Sequence, residues 1–229
     1  WEVKHTFNTG IDVALFGNRL LLSANYYNSR TTDMLYLYNV SVPPFTYNTL
    51  LANIGSMRNW GTEIAIGITP LKIKDMELNI NANITFQRNK LLSLSGMYNG
   101  EMLSAPEYKS LASLDGAGFH GGYNHIVYQM VGQPLGVFYL PHSTGLESDG
   151  NGGYTYGIAD LNGGGVSLED GEDRYVAGQA VPKTILGSNI SFRYKRFDLS
   201  LQVNGAFGHK IYNGTSLTYM NMNIFPDYN

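Results

Sequence analysis

The chain has 229 residues, a formal net charge of −3 and no cysteine, which leaves no disulfide framework, no thiolate metal site and no electrostatic reason for a nucleic-acid partner. Only 14% of the residues are charged, against about a quarter in ordinary soluble domains. Yet no apolar run is long enough for a transmembrane helix, which excludes helical membrane proteins and leaves barrels open. In chain order, Phe7 to Phe16 alternates first, with Phe7, Thr9, Ile11, Val13 and Leu15 against Asn8, Gly10, Asp12 and Ala14. Gly17-Asn18 predicts a tight turn into Arg19 to Arg30, where Leu20, Leu22, Ala24 and Tyr26 oppose Ser23, Asn25 and Ser29. Thr31 to Asn59 shows no sustained alternation and reads as a long loop. Glu63 to Pro70 sets Ile64, Ile66 and Ile68 against Glu63, Ala65, Gly67 and Thr69, and Leu71 to Met76 turns it into the next strand.

That strand, Glu77 to Arg88, alternates without a fault. Leu78, Ile80, Ala82, Ile84 and Phe86 face one way; Glu77, Asn79, Asn81, Asn83, Thr85 and Gln87 face the other. Leu91 to Pro182, rich in Gly, Tyr and Asn, reads as a second long loop. Gly187 to Lys195 then reverses around Lys195-Arg196 into Phe197 to Gly208, both alternating. No segment shows a helical period.

Two architectures produce such alternation: a soluble β-sandwich and a transmembrane barrel. Roughly ten residues tilted by about 45° cross a bilayer, whereas soluble strands average about five or six. Short turns at one end, long loops at the other, and aromatics at strand ends (Tyr194 and Phe197; Phe86 and Phe207) favour the barrel. The expected fold is therefore all-β, an antiparallel up-and-down transmembrane β-barrel wall segment. It is one domain part over residues 1–229, with about six strands and long extracellular loops near 31–59 and 91–182. Six strands leave two open edges, so the chain reads as a piece of a larger wall, with its mature N-terminus elsewhere.

Several phrases resemble the SusC-like TonB-dependent outer-membrane transporters. They are Tyr26-Tyr27 with Thr31-Thr32-Asp33-Met34-Leu35, then Asn53-Ile54-Gly55 and Asn59-Trp60-Gly61-Thr62-Glu63. Gln87-Arg88-Asn89-Lys90, Val131-Gly132-Gln133-Pro134-Leu135-Gly136 and Asp160-Leu161-Asn162-Gly163 follow. Asp173-Arg174, Gly178, Pro182-Lys183 and Gly208-His209-Lys210-Ile211-Tyr212-Asn213 complete the series. The resemblance implies a barrel on the order of 22 strands in the bacterial outer membrane, a plug domain within it, and a SusD-like surface lipoprotein as lid. The plug, the segment that contacts the TonB complex and the terminal barrel strands have no counterpart in these residues.

The acidic stretch Glu147 to Asp173 contains Asp160-Leu161-Asn162-Gly163-Gly164-Gly165, which resembles the start of a calcium loop. Asp160 and Asn162 would supply ligands, with Asp170 and Asp173 swinging in; the competing reading is a solvated acidic loop turned by its glycines. Gly116-Ala117-Gly118-Phe119-His120-Gly121 matches a dinucleotide fingerprint in letters only, with no strand before it or helix after it. His120 and His125 form no zinc-protease pattern, no catalytic constellation stands out, and the chain reads as a non-enzyme. Loop aromatics, chiefly Tyr36, Tyr38, Tyr47, Trp60, Phe119 and Tyr123, are the expected substrate contacts, because a ring offers an apolar face and Tyr a hydroxyl. The competing reading packs those rings into small loop cores. The function expected is TonB-dependent import of an oligosaccharide first, an oligopeptide second. A passive porin-like channel and a soluble carbohydrate-binding sandwich are the alternatives.

Overall fold

The computed structural model describes residues 1–106, 108–113, 125–169, 172–213 and 215. The described residues form two compact units, one of Trp1–Ala105 with Val181–His209 and one of Pro106–Ala180 with Lys210–Asn229.

The first unit is one antiparallel sheet. Its strands are β1 (Val3–Leu15), β2 (Leu20–Asn39), β3 (Thr49–Ile73) and β4 (Met76–Ser93), joined after the second unit by β13 (Thr184–Tyr194) and β14 (Phe197–Phe207). Each strand pairs with its neighbour in the order β1-β2-β3-β4-β13-β14. A small hairpin, β5 (Ser95–Tyr98) with β6 (Glu101–Ser104), adjoins β3 and β4. Residues 31–59, expected as a loop, run mostly as strand: β2 continues to Asn39 and β3 begins at Thr49. Bulges between Thr31 and Leu35 shift the phase there, which hides the period-2 pattern.

Register makes the faces unambiguous. One row of partners reads Leu15, Leu20, Ile68, Ile80, Ile190 and Leu201 across all six strands. The adjacent row reads Ala14, Leu21, Gly67, Asn81, Asn189 and Gln202. The apolar face is uncovered: Ile11, Leu199 and Leu201 are 62%, 67% and 51% exposed. A sandwich would bury that face against a second sheet, and among the described residues none does. The fold is an antiparallel barrel wall.

Its height fits a bilayer. The 11 residues of β14 span ~36 Å, or ~26 Å when tilted by about 45°. Aromatics mark both limits. Tyr194 pairs with Phe197 at the turn end; Tyr26, Phe86 and Phe207 share one row at the other, with Phe7 and Trp60 in the next.

The short connections lie at one end. Phe16, Gly17 and Asn18 all take left-handed φ values of 55°, 62° and 66°, which closes the first turn. The turn expected over Leu71–Met76 is shorter: β3 runs to Ile73 and only Lys74-Asp75 reverse the chain. A one-residue bulge at Thr69-Pro70, where proline lacks an N–H, re-phases the strand so that Leu71 and Ile73 stay opposite Leu78 and Met76. Gly61 serves close packing. A Cβ there would lie 2.4 Å from the Phe86 carbonyl and 2.7 Å from the Tyr27 hydroxyl, so the tyrosine ring occupies the space a side chain would take.

The second unit is inserted in the chain between β4 and β13. Its residues, also expected as loop, hold β7 (Tyr108–Ser113), β8 (His125–Met130), β9 (Val137–Pro141) and β12 (Arg174–Gln179) in a sheet ordered β12-β9-β8-β7. A separate hairpin pairs β10 (Ser143–Ser148) with β11 (Tyr154–Ile158). Tyr128, Met130, Val137 and Tyr139 form the core. Arg174 pins it: Nη1 donates to the Tyr128 hydroxyl at 2.7 Å and Nη2 to the His125 and Tyr139 carbonyls at 2.8 and 3.1 Å. Its guanidinium also lies 4.9 and 5.1 Å from the Tyr128 and Tyr139 ring centres.

Two substitutions test the facing. Ile80→Arg or Leu201→Arg should cost about 2–4 kcal/mol near the bilayer midplane, whereas the same change at the row-adjacent Asn81 or Gln202 should be mild. Urea titration of the full-length receptor that carries these strands, refolded into lipid vesicles, measures both; equal damage on the two faces would contradict the assignment.

Candidate functional site

The polar face of the wall is the concave one. It bounds a hollow of about 570 Å³ lined by Asp12, Ser23, Asn81, Asn83, Asn189, Gln202 and Asn204 among others. These come from five different strands, yet register sets them in adjacent rows. Asp12, Ser23, Ala65, Asn83, Gly187 and Asn204 form one row; Ala14, Leu21, Gly67, Asn81, Asn189 and Gln202 form the next. The strands supply this pattern because only every second side chain reaches the concave side. Amides and hydroxyls there can donate and accept, so the surface exchanges hydrogen bonds with a hydrated solute at little net cost.

Charge is sparse and uneven along the face. Toward the short turns, Lys72, Glu77, Arg193 and Asp198 share one row with alternating sign. Arg193 Nη2 donates to Glu77 Oε2 at 2.8 Å, and Lys72 Nζ lies 3.7 Å from Glu77 Oε1. Higher up, Asp12 and Glu63 sit among Asn, Gly, Ser and Thr with no recorded ion pair among the described residues.

The aromatic candidates separate. Tyr38 is 1% exposed and forms a core with Ala52 and Leu103; Tyr36 packs beside it, edge-on, with ring centres 5.4 Å apart. Tyr38 therefore stiffens the extension of β2 and β3 and shows no ring to a ligand. Tyr47, at the tip between those strands, is 74% exposed. Trp60 lies in the row Phe7, Asn28, Trp60, Arg88, on the apolar face. Its indole faces outward beneath the Arg58 guanidinium, 4.9 Å from the ring centre, which makes it an interfacial anchor. Phe119 and Tyr123 fall outside the described residues. Tyr154 and Tyr156, on β11, are as exposed as Tyr47.

The acidic loop is closed by its own backbone. Asp160 Oδ1 and Oδ2 accept from the Gly163 and Gly165 amides, the first at 2.5 Å, and Asn162 Oδ1 accepts from Gly164. Asp173, fully buried, accepts from Leu161 at 2.5 Å and from Ser167 at 2.8 Å. Asn162 Nδ2 donates to Glu172. The oxygens that a cation would need thus already hold N–H groups, and Gly163 and Gly165 take the left-handed φ values of 79° and 94° that this knot requires. Among the described residues no group of three His, Cys, Asp or Glu converges; Asp170 lies outside them. Hydrogen bonds from Ser167 and Leu161 hold the Asp173 carboxyl below the usual carboxylate range. Alternation gave no sign of this knot, although its Asp-x-Asn-Gly-Gly-Gly spelling did.

Residues 1–206 match the family described as TonB dependent receptor-like, beta-barrel. TonB-dependent receptor P3 of Formosa agariphila is 30% identical over 95% of the chain and 21% of its own length. TonB-dependent receptor SusC of Bacteroides thetaiotaomicron is 24% identical over 93% of the chain and 20% of its own. The chain thus spans about a fifth of the curated relatives it matches. Among solved structures, the RagAB peptide importer in the open-open state superposes with a TM-score of 0.66 at 20% identity, over 91% of this chain and 21% of that one.

Two measurements follow from the loop chemistry. The Tyr38 hydroxyl is buried without a hydrogen-bond partner among the described residues, so Tyr38→Phe should be neutral or slightly stabilising while Tyr38→Ala costs about 3–5 kcal/mol. Thermal unfolding of the two variants separates them. Asp173, with its folded pKa depressed, stabilises the knot above the unfolded value of about 3.9 and ceases to do so as pH falls through the lower folded value. Amide protection at Leu161 and Ser167, corrected for intrinsic exchange, should be level from about pH 7 to 5 and collapse below about 4. Protection that instead depends on added calcium would put an ion in the knot.

Proposed function

The chain belongs to the TonB-dependent receptor β-barrel family, whose members are transporters of the bacterial outer membrane and not enzymes, and from that premise we propose that it forms part of the wall of an importer for a bulky, neutral, strongly hydrated nutrient. The observation that carries the reading is the concave face itself. Asn81, Asn83, Asn189, Gln202 and Asn204 make a carpet of amides around the 570 Å³ hollow, and apart from Lys4, near the start of β1, the charges on that face are either self-paired or acidic. A sugar hydroxyl or a peptide group can trade one amide partner for the next without a deep trap. An anionic chelate would meet Asp12 and Glu63 rather than a basic lining. Oligosaccharide is the preferred cargo; oligopeptide, the cargo class for which the RagAB importer is named, is the second.

Capture belongs to the far end of the strands. Tyr47, at the tip between β2 and β3, presents an exposed ring suited to stack on a sugar or on a lid protein. A SusD-like lipoprotein would be that lid, and energy would come from the TonB complex through a plug domain.

Sidedness gives one check. An epitope inserted at Gly152, in the β10–β11 turn, should be reached by antibody on intact cells, and one at Lys74 should not; the reverse would invert the topology. Cargo gives another. Binding of an oligosaccharide library to the complete receptor with its lid should be nearly insensitive to salt between about 0.05 and 0.5 M, because little charge is paired on binding. Steeply salt-dependent capture of a ferric chelate would refute the assignment.

A further inference from the structure

The outward-facing side of the wall carries a second chemical pattern, unrelated to transport. Just beyond the aromatic row of Tyr26, Phe86 and Phe207, the apolar face changes character. His5, Arg30, Arg58 and Lys90 are direct register partners across four adjacent strands, β1 to β4. The strands are regularly paired from this row down to the row of Ile11 and Ile64, so all four residues share the face of those apolar side chains. At ~4.8 Å between strands the row is ~14 Å wide.

Like charges directly opposite one another destabilise a sheet unless something neutralises them. Here three basic side chains, with a histidine at the end, stand abreast, and Arg88 adds a further one in the row beneath. No carboxylate answers them: the ion pairs recorded among the described residues on the wall all involve Glu77, at the opposite end of the strands. His5, Arg30 and Lys90 are exposed. Arg58 is braced, its Nε donating to Asn28 Oδ1 at 2.8 Å and its guanidinium lying over Trp60, which leaves both terminal nitrogens open to an outside acceptor. Arg88 is braced likewise, through Nη1 to the Gln87 and Lys183 carbonyls.

Height fixes what this row would meet. It lies one step past the girdle that marks the edge of the hydrocarbon, on the side of the long connections, where lipid headgroups sit against the wall. We infer that His5, Arg30, Arg58 and Lys90 form a docking row for the phosphate-bearing headgroup of an outer-leaflet lipid. Guanidinium and ammonium groups supply charge-assisted donors to phosphate oxygens, and the apolar face below accepts the acyl chains. Trp60 and Phe7 cover the junction. The inference rests on the outer-membrane placement and the sidedness of the wall and is independent of the cargo.

The test uses the full-length receptor that carries these strands, purified in neutral detergent, with native mass spectrometry as readout. The probes are lipid A, the same lipid with its phosphates removed, and inorganic phosphate. Wild type should bind lipid A roughly thirtyfold more tightly than the dephosphorylated form, as two or more surface cations predict. Arg30→Gln combined with Lys90→Gln should abolish most of that preference, while Lys74→Gln, at the other end of the wall, should keep it. Equal binding of the two lipids by wild type would overturn the inference, as would an undiminished preference in the double variant. Should the double variant fail to insert, the wild-type comparison alone decides. Displacement of lipid A by millimolar inorganic phosphate would assign the row to a soluble anion and refute the lipid.

Discussion

Everything in this wall follows from one requirement: in hydrocarbon each backbone N–H and C=O must be paired within the sheet. Six strands satisfy it with antiparallel ladders from the short turns to the aromatic row, interrupted there by a bulge at Thr69-Pro70. Once register is fixed in that way, side-chain parity is fixed for all six strands together, and a single-residue slip would turn Ile80 and Asn81 inside out. The bulge at Thr69-Pro70 shows the chain respecting that demand, spending one extra residue so that Leu71 rejoins the apolar face. The same requirement acts on the outer rims of β1 and β14, which pair with one neighbour each. In lipid those rims need partner strands.

Legibility in the sequence tracked the solvent. Glu77 to Arg88 and Phe197 to Phe207 alternate cleanly because their two sides meet lipid and water, the strongest contrast a strand can experience. Past the bilayer that contrast vanishes. Residues 31–39 and 49–59 remain strand, but Tyr38 and Ala52 pack against Leu103 of a hairpin while their neighbours meet water, and bulges break the phase. In the second unit the described strands are five or six residues long, such as β8 with 6 and β9 with 5, too short for a period to stand out. What fixes that sheet is a buried arginine among tyrosines, and nothing near Arg174 in the sequence announces it.

Site residues were harder to read than strands, for a geometrical reason. Trp60 belonged in sequence to a loop-like phrase, yet counting by twos from Ile64 already places it on the apolar side. Tyr38 was indistinguishable from Tyr47 until the hairpin of β5 and β6 covered one and left the other bare. The basic row is the extreme case. His5, Arg30, Arg58 and Lys90 are scattered over four strands, and only the ladder brings them abreast.

The distribution of charge completes the division of labour between the two faces. On the concave side Lys72, Glu77, Arg193 and Asp198 alternate in sign within one row, so their fields cancel over a few ångströms and salt screens the remainder. Such exposed pairs stabilise the wall little, and their consequence for a solute is a floor without net potential. On the outward side the cations stand together and add. A wall that alternates charge in one row of its concave face and gathers cations in one row of its outward face gives its two sides opposite electrostatic rules. The alternation of a β-strand is what allows one backbone to carry both: Arg58 and Asn59 are adjacent in sequence and serve different solvents.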